Sequence, residues 1–385
     1  MKDLYCSYYT NSKDITSYMV AKLHIVEKDR ILEPSAGEGI FIDKVLEKNR
    51  MVQIDALDIN REAIAVLKKK YENNDAVVVR ETDTLLDEQL DAYSFSPLWL
   101  KESNPLYERQ RDLLGDAGGY YSKIIGNPPY VNTHDLNKST ISFLKKSFAT
   151  TKTGVFNLFY AFIEHGLNQL TPTGLLEFIV PNNFLTIKSA ENLRVLLQKG
   201  KHVCSILDFA DNMVFKPVRT YNCIIKLSKS PQDKIWYSVM EKTENIYKTL
   251  KTMSFHSLPV KSLDKNGWIL VDEKTLNNIA SIESQKYPIK DFIRTGIATL
   301  RDGIYFVESL NGDFYKVVDD IRYPIESEIV KPIYKIPELK NCTNPRDAMQ
   351  HILFPYVKGK NRYELIDEGI FIEKYPHAYT YLLKM

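Results

Sequence analysis

The stretch RILEPSAGEGIF (residues 30–41) reads as a buried strand, a tight turn and the opening of a helix. Its apolar run stops at Glu33, and Gly37 and Gly39 then let the backbone turn sharply and bring main-chain N–H groups close to a ligand. Working outward, the same order recurs. MVQIDALDIN (51–60) is a second apolar strand closed by Asp58, and the helical REAIAVLKKKY (61–71) follows it. DAVVVRETD (75–83) is a third strand, ending at Asp83. SKIIGNPPY (122–130) and GLLEFIVPNNF (174–184) each bring a buried strand to a polar edge. Strands alternating with helices at this spacing specify an α/β fold whose parallel sheet is covered on both faces. Such sheets bind ligands beyond the carboxyl ends of their strands, where all these polar residues fall.

A length of 385 residues points to about two domains. With 44% hydrophobic and 26% charged residues, the composition is that of a soluble globular protein. A net charge of +2 excludes a basic tail as the means of holding nucleic acid and leaves only a local patch. Cys6, Cys204, Cys223 and Cys342 stand too far apart for a zinc motif or a disulfide framework and fit a reduced, cytoplasmic setting. No signal peptide opens the sequence, and no apolar run reaches the length of a membrane span. The strand–helix pattern holds over residues 1–230, interrupted by an aromatic and charged insertion at 84–121. SKSPQDK (228–234) reads as a linker. Beyond it, runs such as DGIYFV (302–307) and HILFPYV (351–357) read as a second, α+β domain over 235–385.

The glycine turn alone is weak evidence, because the dinucleotide fingerprint G-x-G-x-x-G fails at Ile42. Its surroundings say more. Glu33 precedes the turn, and Asp58, at the end of the second strand, stands where a carboxylate accepts ribose hydroxyls. Asp83, at the end of the third, can accept from an adenine amino group. Three acids disfavour a pyrophosphate and suit a positively charged cofactor, of which S-adenosyl-L-methionine, with its sulfonium and ammonium, is the best match.

Asn127-Pro128-Pro129-Tyr130 leaves its strand in an extended backbone, since Pro129 bars Pro128 from the helical region and neither proline offers an N–H. The Asn127 side-chain oxygen and the Pro128 carbonyl are then two acceptors for the hydrogens of one amino group. Binding both would draw a conjugated nitrogen toward tetrahedral geometry and aim its lone pair at a methyl donor, with no strong base required. Tyr130 can stack on the planar group being modified.

These residues together resemble the amino-group DNA methyltransferases of the gamma order, the TaqI type. In that family the cofactor motifs precede Asn-Pro-Pro-Tyr and a target-recognition domain follows it. The resemblance implies a Rossmann-like S-adenosylmethionine-dependent domain with a mostly parallel seven-stranded sheet over 1–230. It also implies an α+β recognition domain over 235–385, shortened at its C-terminal end. YYTNSKDI resembles the cofactor-clasping motif, implying that Thr10, flanked by Tyr8 and Tyr9, contacts the methionine carboxylate. By the same resemblance Glu33, Ser35, Gly37, Gly39, Asp58, Asp83, Pro129 and Phe162 hold the cofactor, with Phe162 (in FNLFYAFIEHG) against adenine. Asn127, Pro128 and Tyr130 would be catalytic. Phe215, in DNMVFKPVRTYNCIIKL, would pack on the face of the flipped base opposite Tyr130. The implied activity is N6 methylation of adenine in duplex DNA within a restriction-modification system. A cognate restriction endonuclease would be its companion without having to bind it, and neither a metal nor a membrane is called for. RNA adenine or protein glutamine methylation, or a DNA-binding subunit without catalysis, are the alternatives.

Overall fold

The computed structural model describes residues 12–87, 119–215, 220–286, 296, 297, 299, 301–340, 342–359 and 363–385. Thr10, with Tyr8 and Tyr9, and most of the 84–121 insertion lie outside the described residues. The chain divides into two compact units, Met1–Gln285 and Lys286–Met385.

The first unit is organised on a nine-stranded sheet in the order β3-β2-β1-β4-β5-β7-β6-β8-β9. The strands are β1 (Arg30–Glu33), β2 (Gln53–Asp58), β3 (Val77–Glu81), β4 (Tyr121–Gly126), β5 (Leu170–Pro181), β6 (Val203–Asp208), β7 (Asn222–Ser228), β8 (Lys234–Val239) and β9 (His256–Pro259). β3, β2, β1, β4 and β5 pair in parallel, while β7 runs antiparallel between β5 and β6. The first seven strands in this order supply the expected seven-stranded sheet, and β8 and β9 lengthen its edge. Ile31, Leu32, Ile54, Ala56, Ile124 and Phe178 are each at most 2% exposed, so the centre of the sheet is buried on both faces.

The helices form for local reasons as well as through packing. In α1 (Lys13–Lys22) the Ser12 side chain accepts from the Ile15 N–H, and α2 (Ile40–Lys48) starts directly at Gly39. Asn60 caps α3 (Arg61–Lys70), its side chain accepting from Glu62 and Ala63, and Lys68, Lys69 and Lys70 lie where the helix dipole favours cations. Asn137 caps α4 (Lys138–Ser147), accepting from Thr140. α5 (Phe159–Gln169) is buried almost all round, as a helix inside a large core must be.

Of residues 228–234, expected as a linker, Ser228 ends β7, Lys234 begins β8, and 229–233 form the turn between them. The Gln232 N–H donates to the Lys201 carbonyl (2.8 Å), and the Ser230 hydroxyl donates to that of Pro172 (2.9 Å). Ser, Pro, Gln and Asp serve a pinned turn as readily as a free linker, which is why composition did not separate the two. β8 then pairs in parallel with β6, and the unit continues to Gln285.

The second unit is α+β. Its five-stranded antiparallel sheet has the order β12-β11-β10-β14-β13, from β10 (Phe306–Leu310), β11 (Asp313–Val318), β12 (Ile321–Ile325), β13 (Val330–Tyr334) and β14 (Met349–Leu353). Val307, Ile329, Leu353, Phe371 and Tyr381 belong to its own core. Among the described residues no helix is long and apolar enough to cross a membrane.

Candidate active site

A cavity of about 860 Å³ opens in the first unit where β1, β2, β3 and β4 end. Its shape begins with the turn after β1. Gly37 adopts φ +51°, and its N–H donates to Asp58 Oδ2 (2.7 Å), while the Asn60 N–H donates to Asp58 Oδ1 (2.8 Å). Asp58 thus ties the glycine turn to the start of α3 and keeps lone pairs on both oxygens for a ligand. Gly39 (φ +80°) has another task. A Cβ there would stand 2.7 Å from Leu67, so the glycine permits α2 to pack on α3, and it does not itself line the cavity.

Glu33 ends β1 and is buried at the base of the turn. It is 1% exposed, and its Oε2 has no hydrogen-bond partner. Burial pushes its pKa well up, Asp58 and Asp43 push it further, and Lys70 opposes them. Asp43 is engaged by Lys70 Nζ (2.5 Å) and the Tyr71 hydroxyl (2.7 Å). Asp83 is raised by burial, against the Leu85 N–H that donates to it (3.0 Å). Glu33, Asp43, Asp58 and Asp83 all line the cavity, as does Lys70. An acidic cavity with an unsatisfied buried carboxyl oxygen suits a cation.

The opposite wall begins with Asn127-Pro128-Pro129-Tyr130, all four of which line the same cavity. The two turns are fastened together. Ser35 Oγ donates to the Asn127 main-chain carbonyl (3.0 Å), and Thr84 Oγ1 donates to that of Pro34 (2.5 Å). Tyr130 is 8% exposed and lies edge-on to Phe159, with ring centroids 6.2 Å apart. Its hydroxyl donates to the Ile179 carbonyl (2.9 Å) and accepts from Asn222 Nδ2 (3.1 Å). Burial holds the phenol pKa well above its usual range, so the group stays neutral.

The cavity therefore brings together Glu33, Ser35, Gly37, Asp58, Asp83, Asn127, Pro128, Pro129, Tyr130 and Phe162 of the expected residues. Phe215 is 3% exposed within the hydrophobic core and is not part of the cavity wall. Thr10 lies outside the described residues. Sequence reasoning missed a wall made by α4 and the loop before it, including Leu136, Asn137, Thr140 and Phe143, and it missed Thr84 and Lys70. The Asn137 cap was a legible signal for a helix at that point, but not for where the helix would pack.

The profile of the Eco57I restriction-modification methylase family matches residues 7–215, more than half of the chain. The chain is 25% identical over 279 residues to the type II restriction enzyme and methyltransferase RM.Eco57I of Escherichia coli, covering 68% of this chain and 28% of that one. It is 24% identical over 400 residues to the type II methyltransferase M.BanIII of Aneurinibacillus aneurinilyticus, covering 92% and 64%. It thus spans under two thirds of the length of either relative. Among solved structures, a nuclease-deletion mutant of the type ISP restriction-modification enzyme LlaGI, in complex with a DNA substrate mimic, has a similar fold. The TM-score is 0.51 at 16% identity, over 77% of this chain and 34% of that one. S-adenosyl-L-methionine is the cofactor that a methylase family on this fold uses. The residues fit it, because Glu33 Oε2 offers a buried acceptor to a cation and Asp58 and Asp83 offer acceptors to hydroxyl and amino groups.

Proposed function

The chain belongs to the Eco57I restriction-modification methylase family, and we propose that it methylates the N6 amino group of an adenine rotated out of duplex DNA. Glu33, Asp58, Asp83 and Phe162 hold S-adenosyl-L-methionine, which when bound supplies an electrophilic methyl group on a positively charged sulfur. The Asn127 side-chain oxygen and the Pro128 carbonyl accept the two amino hydrogens, and the ring of Tyr130 holds the base by stacking. As the nitrogen turns tetrahedral these acceptors grip it more strongly, so their effect falls on the transition state. An amino nitrogen held in this way would present its lone pair to the methyl group that S-adenosyl-L-methionine would supply, with the sulfur as leaving group, and the proton the nitrogen then sheds would pass to solvent. The 286–385 unit is proposed as the part that reads the DNA sequence. Protection of host DNA beside a cognate endonuclease, in the cytoplasm, is the proposed setting.

One observation carries this reading: the Asn-Pro-Pro-Tyr turn opens on the same cavity as the three strand-end acids and is bonded to the glycine turn through Ser35 and Asn127. The experiment is transfer of tritium from labelled S-adenosyl-L-methionine to unmodified bacterial DNA, RNA and protein offered together, followed by nucleoside analysis. Label in N6-methyldeoxyadenosine is the expected result. Label in N4-methyldeoxycytidine, RNA or protein overturns the proposal.

A further inference from the structure

Tyr130 is fixed by its hydroxyl, and the hydrogen-bond logic there determines the orientation of a second side chain. A phenol has one proton. That proton goes to the Ile179 carbonyl, which can only accept, 2.9 Å away. The group 3.1 Å away on the other side must therefore donate, so Asn222 presents its amide NH₂ to the phenol and turns Oδ1 elsewhere. Asn222 is fully buried at the start of β7, and its Oδ1 has no hydrogen-bond partner. The residues that follow, Cys223, Ile224 and Ile225, are apolar and buried. A buried amide oxygen left unpaired is destabilising. Packing alone would thus favour a leucine here. What asparagine supplies, and leucine does not, is the second bond to the phenol.

That bond has a geometric consequence. A single hydrogen bond to Ile179 sets how deep the ring sits but lets it pivot about the hydroxyl. Asn222 closes the second direction, and the edge of Phe159, at an interplanar angle of 74°, sets the tilt. We propose that Asn222 is a positioning residue for Tyr130, holding the phenol ring at the depth and rotation at which its face meets the target base. The proposal rests on the reading that Tyr130 stacks on that base, and adds a residue from β7 that does not itself line the cavity.

The test is a double-mutant cycle on the full chain with Asn222→Leu, Tyr130→Phe and the pair. Calorimetry gives S-adenosyl-L-methionine affinity, and tritium transfer to unmethylated DNA gives kcat and KM. Each single variant is expected to keep cofactor affinity; Asn222→Leu should lose on the order of tenfold in kcat, the scale of one hydrogen bond, and Tyr130→Phe, which breaks the Ile179 bond as well, at least as much. The pair is expected to be no slower than the slower single, because both changes break the same bond. Equal losses from Asn222→Leu in the presence and absence of the phenol hydroxyl would overturn the proposal. So would wild-type kcat in Tyr130→Phe, which decides the matter even if Asn222→Leu does not fold. Failure of the underlying reading looks different: full transfer by Asn127→Ala would discard the role of the whole turn, whatever the cycle shows.

Discussion

The hydroxyl of Ser35 donates to the main-chain carbonyl of Asn127 across 3.0 Å, joining two turns 92 residues apart in sequence. One turn follows β1 and carries Gly37; the other follows β4 and carries Asn127 and Pro128, the proposed acceptors, and both line the same cavity. With its carbonyl held, the Asn127 residue is oriented relative to the donor side of the cavity. Ser35→Ala should therefore lower kcat by up to about tenfold, the scale of one net hydrogen bond, while Ser35→Thr retains most of the rate. Single-turnover methylation at saturating cofactor is the measurement, and an unchanged rate in the alanine variant would show that the bond does not orient the acceptors.

Asp58 holds Gly37 and Asn60 through two N–H groups and faces the cavity. Asp58→Asn removes the charge and one acceptor, and its amide NH₂ must face either the Gly37 or the Asn60 N–H, donor against donor, so the turn is loosened as well. We expect S-adenosyl-L-methionine to bind more weakly by about 1.5–3 kcal/mol, the range for hydrogen bonds to charged groups. Titration calorimetry measures this directly; equal affinity in both proteins would take Asp58 out of the binding site.

Glu177 and His165 give stability a pH signature. Glu177 is fully buried on β5, with Oε2 unpartnered, and burial raises its pKa to about 8 against the pull of Lys226 and Lys22. A raised folded-state pKa means the native protein keeps a proton that the unfolded chain releases near pH 4.3. Its contribution is complete below that pH and is lost as pH rises through about 8. His165, lowered to about 4 by burial, acts oppositely: its contribution is complete above about pH 6.5 and is lost as pH falls toward 4. Between pH 6.5 and 8 only the Glu177 effect of the two operates. Glu177→Gln should therefore flatten the decline in melting temperature over that interval and be the more stable protein at pH 8. Parallel melting curves for the two proteins across the interval would refute the assignment.

The division at Gln285 also makes a prediction. Residues 1–285 contain the cavity and the whole nine-stranded sheet, so this fragment should fold and bind S-adenosyl-L-methionine as tightly as the full chain. It should lose preference among DNA sequences, because base readout would reside in residues 286–385 while phosphate contacts remain. Sequencing the methylated positions produced by both proteins is the check, and an identical site pattern from the fragment rejects that assignment.

How much of this could be read from the sequence depended on whether a residue's role was local. Glu33, Asp58 and Asp83 were legible because each ends an apolar run, and the ends of parallel strands share one edge. Asn127 and Tyr130 were legible because two prolines limit the backbone to few conformations. Lys70 was not, since nothing in REAIAVLKKKY shows that its last lysine reaches Asp43 on another helix. β8 was missed because KIWYSV follows a turn that looks like a linker, and its partner β6 lies 31 residues earlier (Ser205 with Trp236). Asn222 was invisible for the same reason: its bond to Tyr130 spans 92 residues. Phe215 shows the limit of motif order, which assigns a role without showing which way a ring points.

Asn127→Ala addresses the chemistry itself. The substitution removes the side-chain acceptor but leaves the main-chain carbonyl that Ser35 grips, so the turn keeps its anchor. Glu33, Asp58 and Asp83 are untouched, and cofactor affinity should stay within about twofold of wild type, since no contact to a charged group is lost. Stacking on Tyr130 should also survive, so DNA binding should change little. What goes is an interaction that strengthens as the amino nitrogen leaves the plane of the ring, and its loss falls on the transition state. Removing a preorganised polar partner of this kind typically lowers kcat by on the order of a hundredfold or more. Tyr130→Ala should behave differently, because stacking holds the base in the ground state as well: KM for DNA should rise along with the fall in kcat. Steady-state kinetics on unmodified DNA separates the two patterns. A wild-type kcat in Asn127→Ala would falsify the acceptor mechanism, since no other feature of the turn could then be drawing the nitrogen toward tetrahedral geometry through that side chain.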